Sequence, residues 1–207
     1  LEIHGPHIML RDWRLADLES LRYWLSPERE WHRWDGPYYP RPNAREIARR
    51  LRAKRELIVS GLFPTPRRSL AIAERTGDRL LGQVIWYWQS QETDWLSAGI
   101  AVFDPRERGR GAGYAALGLW CDYLWQAMPS IVRLDLRTWS GNGRMIRLAE
   151  KLGFREEARF RKARIVEGTH HDGLGFGVLR EEWEGRYPGG FAAHLGELER
   201  PAQGDPG

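Results

Sequence analysis

The residues best suited to chemistry lie between Gly99 and Leu117. An apolar run ends at Asp104–Pro105, and Arg108–Gly109–Arg110–Gly111–Ala112–Gly113 then leads into a helical pattern. Alternate glycines between a strand and a helix make an anion cradle. The first amides of a helix lack internal acceptors and sit at the positive end of its dipole. Glycine lets backbone approach a diphosphate without side chains in the way, and Arg108 and Arg110 add charge. Two other phosphate loops are excluded. No lysine followed by Ser or Thr closes the run, as a P-loop requires. The alternate glycine spacing also departs from the Gly-x-Gly-x-x-Gly dinucleotide fingerprint. A tight turn needing only glycine is the competing reading, against which the strand-to-helix context weighs.

Other candidates are sparser. His170, His171 and Asp172, with Glu92 and Asp94, include groups that can act as a base. The histidines lack partners at metal-ligand spacing, so no metal is expected, and they read as a solvated turn. Trp31, Trp34, Tyr38 and Tyr39 crowd a proline-containing stretch. Such rings can cover an aliphatic amine or stack on a cation. They can equally cap a core beneath a long loop.

The elements that must position these residues follow from periodicity. Ile8–Arg11 reads as a strand, and Leu15, Leu18, Leu21, Trp24 and Leu25 fall at helical spacing. Trp31 to Pro42 is a loop. Asn43 with Glu46 forms a variant capping box opening a second helix, which buries Ile47, Leu51 and Ile58. Leu70–Arg75 and Leu80–Trp88 flank a turn at Thr76–Arg79, and Trp95–Phe103 is a third strand in this group. After the glycine loop a helix runs to about Ala127 through Leu117, Trp120, Cys121 and Leu124. Ile131–Trp139 is a strand. Met145, Leu148, Ala149 and Leu152 form a helix ended by Gly153. Phe154–Val166 and Leu174–Leu179 are two last strands joined around Glu167–Gly168. The order predicts one mixed α/β domain around a twisted sheet.

In that order, Arg108–Gly113 resembles the R/Q-x-x-G-x-G/A signature of GNAT N-acetyltransferases. Asn142 and Glu150–Lys151–Leu152–Gly153–Phe154 look like the family's later N…E-K-L-G-F segment. Thr169–Asp172 and Leu179–Trp183 resemble its closing hairpin and L-x-E-E-W end. Leu10–Arg11–Asp12–Trp13 with Asp17–Leu18 is similar to the opening of the RimJ/RimL-like branch, which includes acetyltransferases of ribosomal-protein N-termini. The resemblance spans about residues 8 to 187.

The resemblance implies an α/β (α+β) fold with a mostly antiparallel central sheet, a splayed parallel strand pair and flanking helices. Acetyl-CoA would lie as cosubstrate between Trp95–Phe103 and Ile131–Trp139. Backbone of Ala101, Val102 and Phe103 would pair with its pantetheine arm. Arg108, Gly109, Arg110, Gly111, Ala112 and Gly113 would hold the pyrophosphate, with Asn142 near the cofactor. A helix cap is the other reading of Asn142, and the two roles can coexist. The acceptor would be a primary amine, at a protein N-terminus or on a small molecule. It would sit against Trp31, Trp34, Tyr38 and Tyr39 and attack the thioester directly.

The catalytic half departs from the family pattern. Leu96, Ser97 and Ala98 stand where a strand carboxylate often serves as base, Ala149 where many members have a tyrosine acid, and Met145 where ribosomal-protein relatives often have serine. Ser97 and Asn142 are the remaining catalytic candidates, and a base is not assigned. A non-catalytic acyl-CoA-binding or regulatory domain is the alternative these departures keep open.

Composition sets the outer bounds. At 207 residues, 42% hydrophobic and 29% charged, the chain is expected to be globular. No apolar run reaches the length of a membrane span, and one cysteine, Cys121, suits a reducing compartment. A cytoplasmic protein is expected, with no membrane partner. The net charge of +4 is spread among interspersed Arg and Glu, including the Arg45–Arg55 helix, and no RNA motif accompanies it. Nucleic acid is therefore not an expected partner, and a homodimer is left open. Residues 1–190 are expected to form the acetyl-CoA-binding domain and 191–207 a partly disordered extension.

Overall fold

A computed structural model describes residues 1–199. Eight strands form one sheet: β1 (Glu2–His4), β2 (Ile8–Arg11), β3 (Ser69–Glu74), β4 (Leu80–Ser90), β5 (Trp95–Val102), β6 (Arg133–Trp139), β7 (Arg155–Val166) and β8 (Thr169–Leu179). Their order across the sheet is β1-β2-β3-β4-β5-β6-β8-β7. All neighbours are antiparallel except β5 and β6. That parallel pair is registered only at Leu96↔Leu134 and Ser97↔Asp135. Beyond it the strands part.

Each face of the sheet buries its own core. On one face α3 (Ala112–Ala127) and α4 (Gly143–Leu152) cover Leu70, Ile72, Val84, Leu96, Leu134 and Leu136. On the other, α1 (Asp17–Leu25) and α2 (Ala44–Ser60) enclose Trp13, Leu21, Leu51, Ala71, Ala101 and Phe103 with Trp31. Period-two alternation explains the division: successive side chains of β5 point to opposite faces, so Ala98 joins the first core and Ala101 the second.

The helix ends follow their capping chemistry. Asn43 Oδ1 accepts from Glu46 N at 3.0 Å, and Glu46 Oε2 accepts from Asn43 N at 2.9 Å. This reciprocal box starts α2. Gly153, at φ +94°, closes α4, with its own N–H and that of Phe154 turned back to Glu150 and Ala149. Near the N-terminus, the buried Arg11 guanidinium bonds both Asp17 oxygens at 2.8 Å and Asp78 Oδ1 at 2.5 Å. This cluster ties β2 and α1 to the β3–β4 turn.

The structure departs from the sequence expectation at several elements. β1 was not anticipated; three residues carry too little periodicity to register. β8 starts at Thr169, so His170, His171 and Asp172 belong to a strand instead of a solvated turn. A 3-10 turn, Glu30–Arg33, interrupts the expected aromatic loop. After Leu179 the chain forms α5 (Arg180–Arg186) and α6 (Phe191–Glu199), the latter seated on α3. Residues 201–207, expected as a frayed tail, lie outside the described residues. No described helix is long and apolar enough to cross a membrane.

Candidate active site

The divergence of β5 from β6 opens a cleft of about 1060 Å³ that passes through the sheet from the α3–α4 side to the aromatic stretch. Its inner wall is a free strand edge. Phe103 N donates to Leu81 O at 2.8 Å, so odd-numbered residues of β5 turn their peptide groups toward β4. Alternation along an antiparallel ladder then directs the peptide groups of Ala98, Ile100 and Val102 toward β6, which has left. Of the three residues expected to offer backbone groups, Val102 alone has this orientation. Ala101 lines the cleft but turns its peptide group to β4, and Phe103 is buried against Trp31 with its amide already used. The strand was legible; which residues point outward depends on the β4 register.

The glycine loop forms the outer end. Asp104 accepts from Arg106 N at 3.0 Å and from Arg79 Nη1 at 2.7 Å, fixing the chain as it leaves β5. Hydrogen bonds from Arg106, then Arg79, hold its carboxyl down to about 2. Gly109 and Gly111 take φ of +76° and +85°, a region other residues enter at a cost. Gly111 is the N-cap of α3, so no side chain satisfies the first amides of this helix, and no acidic residue occupies its first turn. Those amides are available to an anion.

The basic residues divide differently from expectation. Arg108 lines the cleft, ion-paired to Glu30 and with a buried Nη2 that has no partner. Arg110 is exposed and outside the cleft wall, and Ala112 is buried behind it. Arg144, Arg147 and Lys151 of α4 line the cleft instead. Their spacing puts them on one face of α4 beside the loop, a signal present in the sequence.

Asn142 is committed to the fold. Its Oδ1 accepts from Met145 N at 3.2 Å, capping α4, and its Nδ2 donates to Trp34 O at 3.0 Å. Trp139 Nε1 donates to the same carbonyl at 3.2 Å. The aromatic stretch is thus pinned across the strand gap. Ser97 is fully buried, accepts from Gln89 Nε2 at 2.8 Å, and does not reach the cleft wall. Neither geometry offers a base, and Asn142, while capping α4, also lines the cleft.

Trp34, Tyr38 and Tyr39 line the half of the cleft formed by the aromatic stretch. Trp31 also borders it but is buried, stacked on His32 and tilted against Phe103, with Nε1 donating to Trp24 O at 2.6 Å. Asp35, which no sequence pattern marked, opens onto this same half. Its carboxylate has no hydrogen-bond or ion-pair partner among the described residues, and surrounding protein raises its pKa while Arg50 acts in the opposite direction. Glu107, the other cleft-lining carboxylate, is held by Arg79 at 2.7 Å. His170, His171, Asp172, Glu92 and Asp94 lie outside the cleft wall. Asp172 is ion-paired to Arg159 at 2.9 Å, and His171 stands edge-on to Trp139. No group of three or more potential metal ligands occurs among the described residues.

Comparison with known proteins places the fold among solved acetyltransferase structures. The model of the acetyltransferase (GNAT) domain matches residues 7–155. A SPbeta prophage-derived uncharacterized N-acetyltransferase, YokL, from Bacillus subtilis is 28% identical over 113 residues, covering 55% of this chain. The match spans 63% of that relative's length. Among solved structures, a GCN5-related N-acetyltransferase from Brucella melitensis superposes with a TM-score of 0.70 at 20% identity, covering 99% of this chain and 90% of that one. The spermidine N-acetyltransferase from Vibrio cholerae, solved with CoA and spermine, gives 0.67 at 14% identity, covering 86% and 98%.

Proposed function

The chain belongs to the GNAT acetyltransferase family, and from that premise we propose that it transfers an acetyl group from acetyl-CoA to a primary amine. The observation that carries this reading is the free edge of β5 ending at an uncapped helix N-terminus. One end suits an extended amide-bearing arm and the other a diphosphate. Acetyl-CoA supplies the thioester that the amine attacks, with loss of the thiolate. Val102 and Ile100 offer backbone partners to the arm, the amides from Gly111 to Tyr114 face the pyrophosphate, and Arg147 and Lys151 add positive charge beside it. An outward N–H of β5 can stabilise charge developing on the carbonyl oxygen.

The attacking amine must be neutral, and Asp35 is the group we assign to take its proton, directly or through water. It is the cleft carboxylate without a cationic partner in contact. Trp34, Tyr38 and Tyr39 shield the reacting amine from solvent. The RimJ/RimL-like placement is supported by Leu10–Trp13 and Asp17–Leu18, although their side chains build the Arg11–Asp17 cluster and not the cleft. A cytoplasmic setting is supported by the single, buried cysteine.

The test is acetyl-CoA binding and thiol release with a panel of amines and peptides. Gly111→Glu, which sets bulk and negative charge at the pyrophosphate position, is expected to abolish binding. Undiminished affinity in the folded variant overturns the loop assignment. Binding without turnover across the panel favours a non-catalytic acyl-CoA-binding domain.

A further inference from the structure

The acceptor half of the cleft carries two guanidinium groups that the acetyl-transfer reading leaves without a task. Arg137 lies on β6 opposite Gly175 of β8, and Gly173, two residues earlier, lies opposite both Trp139 and Phe160. Gly173 and Gly175 share one face of β8. A Cβ at Gly175 would stand 2.9 Å from Arg137 Nη1, and one at Gly173 would stand 3.5 Å from Arg164 Nε. The two side chains therefore lie over a floor of bare backbone, on adjacent positions about 7 Å apart along the strand. Both line the cleft. Any larger residue at Gly175 would displace the Arg137 guanidinium.

These guanidiniums are poorly neutralised. Arg137 makes one contact with Asp135, at 3.3 Å, and that carboxylate already takes two closer bonds from Arg133 at 2.6 and 2.9 Å. Arg137 Nε is buried and unpartnered. Arg164 has no carboxylate partner among the described residues, its Nε is likewise buried and unpartnered, and its guanidinium is 4.3 Å from the Tyr38 ring centroid. Arg50 lines the same half, where Asp35 is the single acidic residue among those described. Both side chains are half-buried, and a buried Nε without an acceptor is costly unless a ligand supplies one. The guanidinium fork matches an oxyanion in two parallel bonds.

We propose that Arg137 and Arg164 form an oxyanion-binding subsite, so that the preferred acceptor is an amine carrying a carboxylate or phosphate a few atoms from its amino group. This rests on the acetyl-transfer reading for its placement, with Asp35 receiving the amine and the arginine pair receiving the anion.

Matched acceptors separate the possibilities. 5-Aminopentanoate and O-phosphoethanolamine, set against pentylamine and 1,5-diaminopentane, are expected to show at least tenfold higher kcat/KM in thiol release. The better of the two anionic amines identifies carboxylate or phosphate as the group recognised. Arg164→Gln should reduce the anionic-to-neutral ratio, and adding Arg137→Gln should bring it near one. A binding arm needs no turnover: N-acetyl-5-aminopentanoate should bind the CoA-loaded chain in calorimetry, N-pentylacetamide should not, and Arg164→Gln should weaken the former at least tenfold. Arg164→Gln decides alone if the double variant does not fold, since no ion pair is lost with it. Equal or better use of neutral or cationic amines overturns the subsite while leaving acetyl transfer standing. If no amine turns over, acetyl transfer falls, and the binding arm still decides the subsite.

Discussion

Asp35 shows how a residue without a motif acquires a role from its surroundings. Its side chain is open to solvent in the cleft, while the protein atoms crowding the site displace part of that solvent and push its carboxyl above the ordinary aspartate range. As a base it works only when ionised, so the rate must fall as pH drops through that raised value. Acceptor-saturated kcat, which reports groups in the ternary complex, is therefore expected to show an acid limb above the normal aspartate range. Asp35→Asn should remove this limb and lower kcat by roughly 10²–10⁴-fold. An unchanged acid limb in the folded variant would return the base to unassigned status. Ser97 and Asn142 illustrate the converse. Their types and positions fit a catalytic reading, but Gln89 occupies one and Met145 with Trp34 the other. Sequence position names a neighbourhood; hydrogen-bond partners decide what a polar side chain is free to do.

At the level of elements, strand and helix boundaries near the site were legible because capping chemistry is local. Asn43 with Glu46, Gly111 and Gly153 each mark an end within a few residues. What was not legible is the partition of facing residues, because it depends on register between strands distant in sequence. Ala98 and Ile100 turn their peptide groups into the gap, and Ala101 and Phe103 turn theirs away, only because Phe103 pairs with Leu81. The join between β5 and the glycine loop makes a second prediction at this scale. Asp104 is buried, caps the following turn and accepts from Arg79, so Asp104→Asn should cost about 1–3 kcal/mol in denaturant unfolding and weaken acetyl-CoA binding. The sign with pH follows from the carboxyl's depression to about 2. Its stabilisation is complete above the unfolded value near ~3.9 and is lost as pH falls toward the folded value. The parent protein should therefore lose stability more steeply than the variant between these values, and parallel slopes would remove Asp104 from the account.

The whole molecule depends on a segment whose composition suggested an appendage. Gly- and Pro-containing sequence after Tyr187 leaves residues 191–198 readable only as one or two amphipathic turns, and α6 extends this to nine residues, Phe191–Glu199. Phe191 is fully buried and lies against Gly118 of α3, where a Cβ would overlap its ring. The ring also meets Tyr114, Trp183, Tyr187 and His194. Asp122 joins α3 to this cluster from below, accepting from Trp183 Nε1 at 2.7 Å and from Phe191 N at 2.5 Å. Tyr114 is the link to function: it lines the cleft in the first turn of α3, and its hydroxyl is 3.0 Å from His194 Nε2. Anchoring α6 therefore anchors the helix whose N-terminus faces the anion. Phe191→Ala is expected to destabilise the fold by about 3–5 kcal/mol, since the rigid α3 backbone cannot collapse into the cavity. His194→Ala removes the polar link together with ring contacts to Tyr187 and Phe191 but leaves the Phe191 anchor in place, so it should weaken acetyl-CoA binding while lowering the melting temperature less than Phe191→Ala does. Calorimetric unfolding together with acetyl-CoA titration of both variants checks this. Equal affinity in His194→Ala and the parent would mean that α6 supports the core without positioning the cleft.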